Sequence, residues 1–494
     1  MPSSIELNIG HVPSPRRTRG AQDDDGTAPF RIVVLGDFSG RPAGERAPLG
    51  ERRTMRVDID NLDAQFARLA PKVEIAGLQD KFGVALHAAL ESLDDFSADA
   101  VLARLPADTV ARVAAATPPP APVASAPVAG GPADAEDAAA TLRRLLGGNV
   151  PDTAPARSAP APASVADKAN ESVERFIRQL VGAAPAAPQP APAAAATSND
   201  AAAALLREVL RDPAWRHLEC AWRSVDRFVR ELDMADGGVR LELLDCRADE
   251  LLADLVAGGG GGDASRCALA ATLKGDGRGC AVVVSLEEFG AGVSELSLLG
   301  GLASVSAAHG AVLLAGAAPT LAAVATSEDA AVRASAEARV WHALRASALA
   351  PAIGLTFPRL LARLPYGPRN DPLSAFAFDE LADASGAALH DRLLWRSAAL
   401  DAALLLAQGV TEAGGLDGAE SRVQLDDLPA FIDRSGDEPR LQAVAEAYFG
   451  ERDVRVLQEA GFITIQSDRR VPSARVSGWQ SIAGGELHGC WRTD

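Results

Sequence analysis

The run Arg363-Leu364-Pro365-Tyr366-Gly367-Pro368-Arg369, with Arg359 four residues ahead of it, has the residue types most able to do chemistry. Guanidinium groups on a proline-stiffened loop can hold carboxylates or phosphates in two-pronged hydrogen bonds. One use of such a run is an anion-binding loop. The other is a rigid structural or intersubunit loop, in which Arg359 and Arg363 reach carboxylates such as Asp371, Asp379 or Glu380. The second is the expectation carried forward. A second candidate, Gly36-Asp37-Phe38-Ser39-Gly40, follows a short apolar run and suggests a phosphate loop. It lacks the lysine and the glycine spacing of the known phosphate-binding fingerprints. Asp37 and Ser39 are therefore expected to make local turn hydrogen bonds, with Phe38 anchoring the turn.

Other chemistries find no constellation. There is no glycine-flanked serine elbow. Seven histidines (His11, His87, His217, His309, His342, His390 and His488) are scattered without a metal-binding interval, and His87 sits alone in an apolar run. Carboxylate pairs such as Glu287-Glu288 and Asp426-Asp427 are expected by chance in so acidic a chain. The Gly258 to Gly262 run has no lysine partner and no strand immediately before it, so it reads as a loose loop. No catalytic, cofactor-binding or metal-binding residue is assigned, and the chain is not expected to be an enzyme.

The element that must position any site is the stretch Asp212 to Glu231. Trp215, Leu218, Trp222, Val225, Phe228 and Val229 fall on one helical face, and Asp212-Pro213 separates it from a preceding helix containing Leu205, Leu206, Val209 and Leu210. Asp at a cap and Pro at a first helical position mark an end and a restart. Two tryptophans on one face need a partner wall, in this chain or in another subunit. That points to packing and assembly before catalysis.

Around it, the sequence predicts a strand at Arg31 to Leu35, another at Met55 to Ile59, and a helix bearing Leu62, Phe66 and Leu69. Further strands are expected at Val239 to Leu244, Cys280 to Val284, Ala311 to Ala315, Ala352 to Thr356 and Phe462 to Gln466. Short all-apolar strands separated by helices fit a parallel sheet covered on both faces. Helices are predicted over Ala331 to Leu344 and over Asp391 to Gln408, the latter bearing Trp395, and no element is predicted after the last strand.

The chain has 494 residues, with 66 Asp and Glu against 48 Lys and Arg, a formal net charge of -18. Such a surface repels nucleic acid and anionic membranes. The basic cluster Arg16 to Arg19 lies in a Pro/Ser-rich leader and reads as a solvated tail. Five cysteines without a CxxC spacing fit reduced thiols and a cytoplasmic location. No export signal and no convincing bilayer span is read. Ala/Pro-rich stretches divide the chain into a leader (1–28), a small α/β module (29–110), a linker with two short helices (111–198) and a larger α/β module (199–494). The larger module is expected to hold a mixed, largely parallel sheet covered by helices.

Several runs resemble the contractile sheath proteins of the bacterial type VI secretion system. PFRIVVLGDFSGR, RVDIDNLDAQFARLAPKVEI and ALESLDDFSADAVLARLP resemble the small sheath subunit. LLREVLRDPAWRHLECAWRSVDRFV, CAVVVSLEEFG with ELSLLGGLASVSAAHGAVLLAGAAP, IGLTFPRLLARLPYGPRNDPLSAFAFDE and LLWRSAALDAALLLAQ resemble the large one. Together they cover roughly 29–110 and 199–468, in the order small then large, as in a fusion of the two partners. Ala221-Trp222-Arg223 and Arg363 to Gly367 match the family's runs residue by residue. The helix departs afterwards, with Ser224-Val225 and Arg227-Phe228 where the family carries Gly-Leu and a His-Tyr pair or similar. The large subunit's last portion is also expected to be missing, and the small-subunit part passes into Ala/Pro sequence.

The resemblance implies a structural protein whose small and large parts pair and assemble around an inner tube, storing conformational energy for contraction. Implied partners are other sheath subunits or further copies of the chain, with the inner-tube protein, baseplate proteins and a recycling unfoldase beyond them. No cofactor is implied. Phe38, Trp215, Trp222, Arg223, Phe228, Arg359, Arg363, Tyr366 and Trp395 are the candidate interface or structural residues. The alternative is a non-polymerising cap, baseplate-associated or regulatory accessory of the same machine. An α/β enzyme acting on small anions through His309 or the Arg363 loop is a third possibility.

Overall fold

The computed structural model describes residues 30–75, 78, 81–82, 86–116, 192–234, 237–258, 266–274, 281–382, 384, 387–434 and 439–492. The leader, the two linker helices read at 134–148 and 166–182, residues 259–262 of the glycine run and Cys280 lie outside them. Residues 1–106 with 203–494 form one compact unit, and 107–202 form another.

The N-terminal stretch supplies β1 (Phe30–Gly36), β2 (Met55–Val57), α1 (Leu62–Leu69), β3 (Lys72–Ile75), β4 (Leu86–Ala89) and α2 (Ala98–Arg104). Next comes α3 (Ala107–Ala116), in the second unit. The C-terminal stretch begins with α4 (Pro192–Arg211) and α5 (Pro213–Glu231), followed by β5 (Val239–Asp245), α6 (Ala248–Ala257), α7 (Ala268–Lys274), β6 (Val282–Phe289), α8 (Val293–Ala308) and β7 (Val312–Ala317). It continues with α9 (Pro319–Thr326), α10 (Ala330–Arg333), α11 (Ala336–Arg345), β8 (Ile353–Phe357), β9 (Leu360–Leu361), α12 (Ala387–Arg392), β10 (Trp395–Arg396) and α13 (Ala399–Ala413). The last elements are β11 (Gln424–Leu425), β12 (Ile432–Asp433), β13 (Arg440–Leu441), α14 (Glu451–Glu459), β14 (Phe462–Ser467) and β15 (Ala474–Val476).

Nine strands form one sheet in the order β11-β15-β14-β8-β7-β6-β1-β5-β2. The six from β14 to β5 are parallel, and antiparallel strands finish both edges. β1 lies between β5 and β6, pairing Phe30 to Gly36 with Val239 to Asp245 on one side and Ile32 to Leu35 with Val282 to Ser285 on the other. The two stretches read in the sequence as separate modules thus contribute strands to one sheet.

All seven β1 residues are buried, which is why Ile32 to Leu35 reads as a continuous apolar run rather than an alternating one, while the buried Arg31 is paired with Glu242. Val33 and Leu35 join Val283, Leu313, Leu355 and the α8 leucines Leu299 and Leu302 in one core. Ile32 and Val34 point to the opposite face by strand alternation. There α13 packs against β1, β6, β7 and β8.

Two helix expectations are corrected. The predicted helix Asp391 to Gln408 is broken: α12 ends at Arg392, Trp395 and Arg396 pair antiparallel with Leu361 and Leu360, and α13 starts at Ala399. The indole N–H of Trp395 donates back to the His390 carbonyl, and Arg396 forms an ion pair with Asp401 inside the next helix, so tertiary bonds override the helical spacing. The predicted helix Ala331 to Leu344 is likewise two helices, because the Ser335 hydroxyl caps the second by accepting from the Ala338 N–H. The tail also contains β15, where none was expected.

Candidate functional site

The tryptophan helix lies where the two stretches meet. Asp212 caps α5 by accepting from the Ala214 and Trp215 N–H groups, and Pro213 occupies the first turn. Trp215, Trp222 and Phe228 are all buried on its inner side. Trp222 packs on Phe38 and Phe66, with ring centroids 5.5 and 4.6 Å apart, and Trp215 packs on Phe96 at 5.3 Å. Phe66 meets Phe96 edge-on at 6.2 Å, so five rings form one continuous chain. Three come from the N-terminal stretch and two from α5. The Trp222 indole also donates to the Phe38 carbonyl at 2.9 Å, which fixes the turn after β1 to the helix. Phe66 was read from sequence only as one apolar residue of its helix, and Phe96 was not named as a site residue. Their helical and turn settings hold no sign of ring partners more than a hundred residues away.

One turn along, Glu219 is fully buried and accepts from Arg223 at 2.8 Å and from Arg363 at 2.7 Å. Arg363 also holds Glu380 with both terminal nitrogens, at 2.8 and 3.1 Å. Tyr366 lies over the Arg363 guanidinium, 4.2 Å from ring centre to carbon. Its hydroxyl donates to the Phe96 carbonyl at 3.1 Å, tying the arginine loop to the N-terminal stretch. Burial alone would push the Glu219 carboxyl up, but Arg363 and Arg223 outweigh it and hold it below the ordinary carboxylate range. Burial also opposes the Arg363 charge, and Glu219 and Glu380 override it to keep this guanidinium firmly protonated. The Tyr366 phenol is raised to about 12, chiefly by burial. Glu380 was among the carboxylates named from sequence as within reach of the loop; Glu219, across 144 residues, was not.

Arg359 takes none of the three carboxylates named for it. It makes a two-pronged pair with Glu446 and approaches Glu288 at 3.5 Å. Trp395 lies in a small apolar cluster with Leu361, Leu389, Leu393 and Phe431, and its carbonyl accepts from the Cys220 thiol. Beside it a cavity of about 240 Å³ is lined by Arg216, His217, Cys220, Glu287, Glu288 and Ser397, among others. Burial and the neighbouring Glu219 push the Cys220 thiol up to about 12, so it stays protonated and is a poor nucleophile. His309 bonds the Val305 carbonyl at the end of α8.

The GDFSG turn is occupied by protein. Asp245, at the end of β5, accepts from the Phe38 and Ser39 N–H groups at 2.9 Å and from the Ser39 hydroxyl at 2.7 Å. A carboxylate thus takes the backbone donors that a phosphate would need. Asp37 accepts from the Gly40 N–H, and Arg46 reaches both Asp37 and Asp245. Gly40 has φ +61°, and a side chain there would meet the Lys72 carbonyl at 2.1 Å, so the turn requires glycine. Among the described residues no group of three or more His, Cys, Asp or Glu could hold a metal ion, and no helix is long and apolar enough to cross a membrane.

Comparison with known proteins agrees with this two-part construction. Residues 196–483 match the VipB family, described as the tail sheath N-terminal domain of the EvpB type, and residues 16–109 match VipA of the type VI secretion system. The type VI secretion system sheath protein TssC1 of Pseudomonas aeruginosa is 28% identical over 199 residues, 38% of this chain and 39% of TssC1. The sheath protein TssB1 of the same organism is 34% identical over 76 residues, 15% of this chain and 44% of TssB1. The chain therefore spans less than half the length of each of these curated relatives. With more than half of its residues under the VipB match and the VipA match ahead of it, the chain belongs to the type VI secretion tail sheath family, as a fusion of a VipA-like and a VipB-like part.

Proposed function

We propose that the chain is a structural component of the type VI secretion contractile sheath, in which the small and large subunit-like parts act as one covalently linked pair. Its work is mechanical and non-enzymatic, and it is done in the cytoplasm around the inner tube. The observation that best supports this is the placement of β1 between β5 and β6, with the five-ring chain locking the VipA-like part onto α5. A pair joined by a shared sheet behaves as a rigid building block, which a force-transmitting lattice needs. Phe38, Trp215, Trp222, Arg223, Phe228, Arg363 and Tyr366 hold the block together, while Arg359 and Trp395 brace the segment around the arginine loop. Other sheath subunits or copies of the chain are the direct partners; the inner-tube protein, baseplate proteins and the recycling unfoldase are the outer ones.

Electron microscopy and light scattering of the purified full-length protein, with and without the inner-tube protein, test the reading. Hollow, regularly striated tubes are the expected result. A discrete monomer or small oligomer under both conditions would overturn polymerisation and leave a cap, baseplate-associated or regulatory accessory of the same machine.

A further inference from the structure

The end of β6 carries a charge imbalance that the sheath reading does not use. Glu288 and Glu287 stand at the mouth of the cavity under α5, and Glu446, just before α14, lies across Arg359 from Glu288. Glu288 and Glu446 therefore share one permanent cation, with Glu287 adjacent in sequence and adding to the negative charge felt by Glu288. Two histidines stand near these carboxylates: His217 of α5, which lines the cavity, is 3.9 Å from Glu287, and His390 of α12, outside it, is 3.5 Å from Glu446. The remaining charged or titratable groups on this cavity are Arg216 and Cys220 of α5 and Arg396 of β10. Arg216 is engaged by the Asp391 and Leu393 carbonyls and Arg396 by Asp401, and the Cys220 thiol is neutral. None of them supplies Glu288 with a counter-charge. Glu446 takes both prongs of the Arg359 guanidinium, leaving Glu288 the looser contact.

We propose that Glu288, Arg359 and Glu446 form a proton-operated latch, in which one proton held on Glu288 closes the end of β6 onto the segments 359–361 and 444–446. With the proton present, Arg359 and Glu446 make a neutral pair and Glu288 adds no charge. Without it, Glu288 repels Glu287 and Glu446 from a partly buried position, its side chain 26% exposed. The segments being joined are already paired through backbone, Glu446 N–H to Arg359 carbonyl and Leu361 N–H to Val444 carbonyl, so the latch acts on a defined seam. Burial, with Glu446 and Glu287 adding and Arg359 opposing, raises the Glu288 carboxyl from 4.5 to about 7.

The sign follows from linkage. A carboxyl raised in the folded state binds its proton there while the unfolded chain has released it. Stability is then fully present below pH 4.5 and is lost as pH rises through about 7. The opening constant of the latch should rise about 300-fold across that window.

Urea unfolding of the full-length protein from pH 5 to pH 8.5, with backbone hydrogen exchange at 286–290 and 444–448, tests the proposal. The wild type should lose midpoint and protection as pH rises, and Glu288→Gln should abolish most of that slope. Glu446→Gln, which removes a repelling carboxylate and frees Arg359 for Glu288, should move the slope to lower pH and keeps the test open if Glu288→Gln fails to fold. His390→Asn and His217→Asn should leave the slope in place. A flat wild-type profile, an unchanged slope in Glu288→Gln, or a slope abolished by either histidine variant would overturn the latch.

Discussion

Arg363 is the residue whose loss should be felt most sharply. It neutralises Glu219, which is fully buried, and Glu380, which is 3% exposed. Removing one partner of a buried pair leaves an uncompensated charge and costs about 3–5 kcal/mol. Arg363→Ala should lower the urea midpoint by a corresponding amount. Arg363→Lys should fall between, because an ammonium cannot grip Glu380 with two parallel bonds while reaching Glu219. The same pair sets an acid limit. Glu219 is held below the ordinary range, so its contribution is present above about pH 4.5 and is lost as pH falls through its folded value. Urea midpoints measured from pH 5 down to pH 3 should drop in the wild type and drop less in Arg363→Ala. A parallel fall in both would show that other carboxylates govern acid unfolding. Glu288 acts in the opposite direction and over a higher window, which makes the two groups separable in one titration. The Arg363 loop was visible in sequence as a cluster of Arg, Pro and Tyr, because guanidinium groups on a stiffened loop can hold carboxylates in two-pronged bonds. Its second partner, Glu219, was hidden because a Glu inside an amphipathic helix looks like any solvated charge until the fold buries it.

At the scale of the element, α5 joins local propensity to long-range packing. Asp212→Ala should cost about 1 kcal/mol, because the Ala214 and Trp215 N–H groups lose their shared acceptor. Trp222→Ala should cost about 3–5 kcal/mol by vacating the space against Phe38 and Phe66. Trp222→Phe keeps most of the apolar area but strands the Phe38 carbonyl, and should cost about 1–3 kcal/mol. Thermal unfolding of the three variants checks the order, and equal losses would show that the cap matters as much as the rings. The helix was legible from spacing and from the Asp-Pro break. β1, β6 and β7 were legible because strands buried on both faces read as unbroken apolar runs. Trp395 was not: LLWRSAALDAALLLAQ keeps a helical rhythm through the break, and nothing local announces the Leu360-Leu361 partner or the Arg396–Asp401 pair. Short strands such as the edge strand β11 and its neighbour β15 escaped for a related reason, since two or three residues are too few to show a period.

For the whole molecule, the order of the sheet decides what the chain connection contributes. β1 is the third strand from one edge, with parallel partners on both sides, and its neighbours β5 and β6 come from beyond residue 238. Removing the VipA-like part would take away both β1 and β2, leaving β5 without a neighbour on either side and the β1-facing side of β6 unpaired, an arrangement prone to aggregation. The covalent connection raises the effective concentration of the two parts, but their affinity resides in the ladder, the five rings and the Asp245 bonds to the turn. A protease site placed within 117–191 of the full-length protein tests this. After cleavage, the two fragments should co-elute on size exclusion, with a urea midpoint close to that of the intact chain at high protein concentration and falling as the sample is diluted. Trp222→Ala in the same cleavable chain should let the fragments separate at concentrations where the parent stays paired. Immediate separation of the parent would mean that the connection, and not the shared sheet, keeps the halves together. Persistent pairing in both would place the joining energy in β1 itself, with the aromatic chain serving to fix its angle against α5.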